Sequence, residues 1–167
     1  MKKALFYLFC FNVLISCVEP DPFTGQKLEY TLHQASEFDY TGTLTVREKT
    51  DGSLQFDINL IGQTNESGVS FPAHLHYGDY TDPEAPMAAM LNPVSGANLS
   101  SMTEVSSLMD GTSFTFEHMK NFDGHVKVHL ASEGPDYEVI LVAGNVGSNP
   151  VSSLDFDPTQ MTLCLPN

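Results

Sequence analysis

The chain has 167 residues, a net charge of −14 and an ordinary apolar fraction of 41%. So acidic a protein repels nucleic acid and anionic lipid headgroups, which excludes the proteins that work by neutralising phosphates. No stretch supplies the roughly 20 consecutive apolar residues of a membrane-spanning helix.

The elements follow in chain order. Lys2 and Lys3 precede an apolar run, Ala4 to Ile15, broken only by Asn12. The run is too short to span a bilayer and suits the h-region of an export signal. It closes with Leu14-Ile15-Ser16-Cys17, which reads as a lipobox. Residues 1–16 are therefore predicted to be a lipoprotein signal peptide, cut before Cys17. The Cys17 thiol then receives diacylglycerol, and the new amino terminus is acylated as well. More than one chain is needed, because a single acyl chain anchors only marginally. Residues 17–26 read as a lipidated tether, since Glu19, Pro20, Asp21 and Pro22 keep it extended and solvated. Position 19 is not the Asp that signals inner-membrane retention in some bacteria. The expected location is thus the cell envelope, at the outer membrane, facing the periplasm or the exterior.

Residues 27–167 have the size of one domain. Leu28, Tyr30 and Leu32 alternate with polar neighbours, as do Leu44 and Val46. Asp51-Gly52 then separates these from Leu54, Phe56, Ile58 and Leu60, a hairpin signature. Further strands are predicted over Phe71 to Tyr77, over Met87 to Leu91 with a stop at Asn92-Pro93, and across Val126, Val128 and Leu130. Another is predicted over Tyr137 to Ala143, ending in a Gly144-Asn145-Val146-Gly147 turn. Pro93 to Gly111 reads as a long connection, and Ser113 to Phe122 is the one helical segment. Met161 to Leu165 reads as a last strand carrying a buried Cys164. With Cys10 in the leader and Cys17 consumed by lipid, Cys164 has no partner for an internal disulfide. Short strands between Gly, Pro, Asn and Asp predict an all-β fold, a Greek-key sandwich or barrel of the immunoglobulin or superoxide-dismutase kind.

Six histidines carry the chemistry. Side chains two apart on a strand share a face, so His74 stands beside His76, and His125 and Lys127 beside His129. A His-x-His pair with one histidine from a neighbouring strand makes a three-imidazole metal site. Imidazole suits copper and zinc, and each ring's other nitrogen needs a partner, for which Asp79 and Asn145 are candidates. His33 and His118 read as surface residues. His125 also reads as exposed, because an ammonium beside a cation site is repulsive. Asp79, Asp82 and Glu84 read as an acidic surface loop without a calcium-loop pattern.

The stretch Phe71-Pro72-Ala73-His74-Leu75-His76-Tyr77-Gly78 resembles the Ala-His-Ile-His-x-Gly signature of CHRD domains. Ala89 to Val94 and Asn121 to Leu130 resemble bacterial lipoproteins of that family, and the likeness spans Leu28 to Gly147. The order of elements is also similar to copper/zinc superoxide dismutase, a Greek-key barrel. That resemblance implies copper ligands at His74, His76 and His129, with one copper ion, or zinc in its place. The chain departs from the dismutase in three ways. No histidine follows His76 until His118, so the bridging and zinc ligands are missing. Ser148-Asn149-Pro150 stands where an active-site arginine would follow the glycine turn. A strongly negative surface also steers superoxide away. Two functions are therefore expected of the lipid-anchored domain. The first is a non-catalytic binding module for a protein or glycan partner. The alternative is a mononuclear copper-binding protein using three histidines, with dismutase activity disfavoured.

Overall fold

The computed structural model describes residues 19–162. The predicted signal peptide, Cys17 and Cys164 lie outside the described residues, and Met161 and Thr162 are not in a strand. Eight antiparallel strands close into a barrel: β1 (Phe23–Gln34), β2 (Thr41–Lys49), β3 (Leu54–Ile61), β4 (Ser70–Tyr77), β5 (Met87–Ser95), β6 (Ser100–Val105), β7 (Asp123–His129) and β8 (Ile140–Gly147). The order round the barrel is β1-β2-β3-β6-β5-β4-β7-β8, and β1 closes on β8 through His33↔Ala143 and Gln34↔Val142. This is the all-β barrel alternative of the sequence expectation.

Alternation fills the interior. Leu32, Leu44, Val46, Phe56, Ile58, Leu75, Val126, Val128 and Val142 point inward and are fully or almost fully buried. The β2–β3 hairpin turns at Asp51-Gly52, where Gly52 takes φ +84° and Asp51 Oδ1 accepts the Ser53 N–H. The β6–β7 connection carries α1 (Phe116–Asn121), capped by Thr115 Oγ1, which accepts the His118 N–H at 3.2 Å. Its Phe116 and Met119 plug one end of the barrel, beside Phe114 and Phe122.

The structure corrects five of these expectations. β1 starts at Phe23, so the tether hands over to strand four residues earlier than expected. β5 runs through Asn92-Pro93 rather than stopping there, and the expected connection Pro93 to Gly111 contains all of β6. Pro93 is tolerated because β4 and β5 shift register between Phe71↔Val94 and Ala73↔Leu91. That irregularity sets Pro72 against Asn92 and Pro93, where no ladder donor is needed. Tyr137 belongs to a 3₁₀ turn, Pro135–Glu138, rather than to a strand. Gly144 to Gly147 continue β8 instead of turning. A Cβ on Gly144 would stand 2.3 Å from the Thr31 carbonyl oxygen, so this glycine serves close approach of two strands.

Candidate functional site

The outward faces of β4 and β7 carry His74, His76, His125, Lys127 and His129, with His74↔Lys127 and His76↔His125 opposite one another. Their inward neighbours are Ala73, Leu75, Val126 and Val128. An outward barrel face ordinarily meets water, yet all five residues are buried. Three segments cover them: residues 78–86, residues 130–139 and the tail 148–162. His125 is therefore not exposed, contrary to the expectation from charge repulsion, and Lys127 is buried with it. Repulsion is avoided because the imidazole is neutral and Lys127 Nζ donates to the Thr162 carbonyl at 2.6 Å. His33, expected at the surface, is buried too. It stacks on Phe156 at 4.8 Å, and its Nε2 lies 3.1 Å from the Val151 oxygen. His118 lies half-buried on α1, against Phe114.

Imidazoles of the covered face fasten the first two of these segments to the sheet, while Lys127 and, from β1, His33 hold the third. His76 Nδ1 donates to Ala85 O at 3.2 Å, His125 Nδ1 to Gly78 O at 2.8 Å and His129 Nδ1 to Tyr137 O at 2.7 Å. A carbonyl only accepts, so these bonds fix the Nδ1–H tautomer. Desolvation holds all the rings neutral. It lowers His74 below its ordinary pKa, takes His76 and His129 to about 4, and takes His125 to about 3; Lys127 pushes the last three the same way. The rings also pack in series. Tyr137 stacks on His129 at 4.5 Å, His129 lies 5.1 Å from His74, His74 5.9 Å from His76, and His76 stacks on His125 at 5.0 Å.

The structure thus brings His74, His76 and His129 together, as their spacing implies. Their nitrogens do not converge: among the described residues, no three His, Cys, Asp or Glu side chains are placed to hold a metal ion. As placed, the side chains do not form the copper site that the dismutase resemblance implies. Asp79 and Asn145 meet each other instead of the imidazole N–H groups. Asn145 Nδ2 donates to Asp79 Oδ2, and Asn145 Oδ1 accepts the Tyr80 N–H at 3.1 Å. Burial raises the Asp79 pKa, but bonds from Thr81 and Asn145 outweigh it and leave the carboxyl below its usual range. Asp82 caps its own turn through the Glu84 N–H.

A second feature lies at the end of the barrel where β1 finishes. The β1–β2, β3–β4 and β7–β8 loops frame a cleft of about 540 Å³. Phe38, Tyr40, Val69 and Phe71 supply apolar wall, and Asp39 and Asp136 line it with carboxylates. Tyr40 is buried against Gly62, where any Cβ would stand 2.3 Å from its ring. Its hydroxyl donates to Gln63 O at 2.6 Å and accepts from Asn65 Nδ2 at 3.2 Å. Sequence reasoning passed over this cleft. The available signal was Phe38, a lone aromatic in the polar run Ser36-Glu37-Phe38-Asp39.

Among the described residues no helix is long and apolar enough to cross a membrane. No family model matches the sequence, and neither the curated proteins nor the solved structures yield a match to the chain.

Proposed function

We propose that this protein is a CHRD-like lipoprotein of the cell envelope, anchored through lipid on Cys17, and that it is a non-catalytic binding module whose recognition end is the three-loop cleft. One observation carries the reading: Pro22, where the chain enters β1, lies against the β2–β3 turn, and the cleft lies at the far end of that strand. Five residues separate Cys17 from Phe23, a reach of about 20 Å at most. The Thr50 N–H donates to Pro22 O at 2.8 Å, which ties the tether to the β2–β3 turn. β1 then carries the chain to the other end of the barrel. Its 12 residues rise roughly 30 Å along the axis at the usual strand tilt. The turn end faces the lipid and the loop end faces away, and loops presented on a rigid β scaffold are a common place for recognition. The imidazole layer in this reading is structural and fastens loops to sheet.

The orientation is tested on the lipidated full chain in vesicles, in a Cys164→Ser background. A fluorophore on Thr50→Cys is expected to be quenched by headgroup spin labels, and one on Glu66→Cys to be spared. Equal or reversed quenching contradicts the reading. The anchor is tested separately: Cys17→Ala abolishes lipid labelling, and normal labelling contradicts it.

A second reading is copper binding through His74, His76 and His129. It is favoured by a buried ring nitrogen of one proposed ligand, His74 Nδ1, that has no hydrogen-bond partner among the described residues, as is also true of the neighbouring His125 Nε2. Orphaned buried polar atoms are costly and call for an explanation. Loading the protein with copper and counting retained metal decides it. One equivalent, lost in His129→Ala, supports the site; none removes this reading.

A further inference from the structure

We infer that the loop-end cleft binds a protonated amine carried on an apolar body. This rests on the proposal that the loop end is the recognition end, and it names the ligand chemistry of that end. The cleft falls within the size range of small-ligand sites, about 300–1,000 Å³. Its walls combine aromatic rings with carboxylates. Phe38 is 38% exposed and Val69 40% exposed, so the apolar surface is available at the mouth, while Tyr40 and Phe71 close it deeper in. Among the described residues no Lys, Arg or His lines it. The ion pairs of the described residues engage neither Asp39 nor Asp136, although they occupy Asp57, Glu104 and Glu117 elsewhere on the surface.

The hydrogen-bond inventory gives the sign of the ligand. Tyr40 spends its one hydroxyl proton on the Gln63 carbonyl, and Asn65 Nδ2 is directed to the Tyr40 oxygen and the Gln63 carbonyl. Among the described lining side chains, Tyr40 and Asn65 have committed their donors and the exposed Gln63 amide alone keeps its own, set against the acceptors of Asp39 and Asp136. A ligand that suits it must donate, and must not carry negative charge into a chain of net charge −14. An ammonium group meets both demands: it has three donors and no acceptor, it pairs with a carboxylate, and it is attracted to aromatic faces. A neutral sugar needs donors as well as acceptors from its site, and a carboxylate or phosphate ligand meets two like charges.

The test uses the lipidated full chain in detergent and three near-isosteric probes, benzylamine, benzyl alcohol and benzoate, titrated calorimetrically at neutral pH. Benzylamine is expected to bind saturably, benzyl alcohol on the order of tenfold more weakly, and benzoate more weakly still. Asp39→Asn/Asp136→Asn is expected to weaken benzylamine on the order of tenfold and to remove most of its salt sensitivity. Phe38→Ala should weaken the amine and the alcohol alike. A thermal midpoint unchanged in the variants establishes that they fold. Equal affinity for amine and alcohol, preference for benzoate, no binding of any probe, or full amine affinity in the double Asn variant each overturns the inference. The quenching experiment keeps the two levels apart. If Glu66 is spared and benzylamine fails, only the ligand assignment falls; if Glu66 is quenched, the orientation falls whatever binds.

Discussion

The two outer faces of the barrel obey one pleat rule and end in opposite environments. On β2 and β3 the outward residues Arg47 and Asp57 form an ion pair at 3.0 Å, and Arg47 also covers the Phe23 ring at 4.0 Å. Nearby, Lys49 pairs with Glu104 across to β6 at 2.7 Å. Water reaches these groups, so charges stay charged and pair in the open. On β4 and β7 the same alternation sets out imidazoles, and three covering segments dry them. There the imidazoles are neutral and packed on one another, and His76, His125 and His129 are hydrogen-bonded to backbone carbonyls. The lesson is that alternation determines which residues share a face, whereas the covering loops determine what that face can do.

The contrast has measurable edges. The largest effect is expected from acid. His76, His125 and His129 have folded pKa values of about 4, 3 and 4, all below their ordinary value in the unfolded chain. Their contribution is complete above about pH 6.5. It is lost as pH falls through about 4 and 3, because the unfolded chain takes up protons that the folded protein refuses. The slope can reach about 1.4 kcal/mol per pH unit for each histidine. Urea midpoints measured from pH 7 to pH 4 should fall steeply, and a flat profile would mean that water reaches the covered face. Next in size, His125→Ala removes the bond to Gly78 and leaves a buried void. It should cost about 2–4 kcal/mol in urea unfolding at pH 7 and should flatten the acid profile. Phe156→Ala strips the ring from His33 and Tyr80, and as a half-buried residue it should cost about 1–2 kcal/mol. Hydrogen exchange should then quicken in residues 148–162 before the barrel strands. The smallest effect belongs to the bare face, where Glu104→Ala should change stability by no more than about 0.5 kcal/mol, and less at high salt. A cost near that of His125→Ala would erase the distinction between the faces.

Much of the barrel is legible in the sequence, because strands alternate and Asp51-Gly52 marks its hairpin. The pairing of His74 with His76, and of His125 with Lys127 and His129, follows from period two alone. The covering is not legible. Residues 78–86, 130–139 and 148–162 have no periodicity, and the carbonyls of Ala85, Gly78 and Tyr137 that hold the imidazoles leave no trace in side-chain identity. His125 therefore reads as exposed in the sequence and is buried in the structure. Pro93 reads as a stop because a register irregularity on the facing strand is invisible locally, and Gly144 reads as a turn because close strand approach also demands glycine. The cleft is hidden in the sequence for a related reason: Phe38 and Tyr40 lie far along the chain from Val69 and Phe71, and the two pairs meet only when their loops converge.

The central claim is that the imidazole layer fastens the fold, leaving recognition to the loop end. Its most direct test is long-range ¹⁵N–¹H spectroscopy of the histidine rings at pH 7, before and after one equivalent of zinc. The account predicts Nδ1–H tautomers for His76, His125 and His129, unchanged by the metal. Loss or large displacement of the His74, His76 and His129 nitrogen signals at equimolar zinc would contradict it and make the layer a metal site.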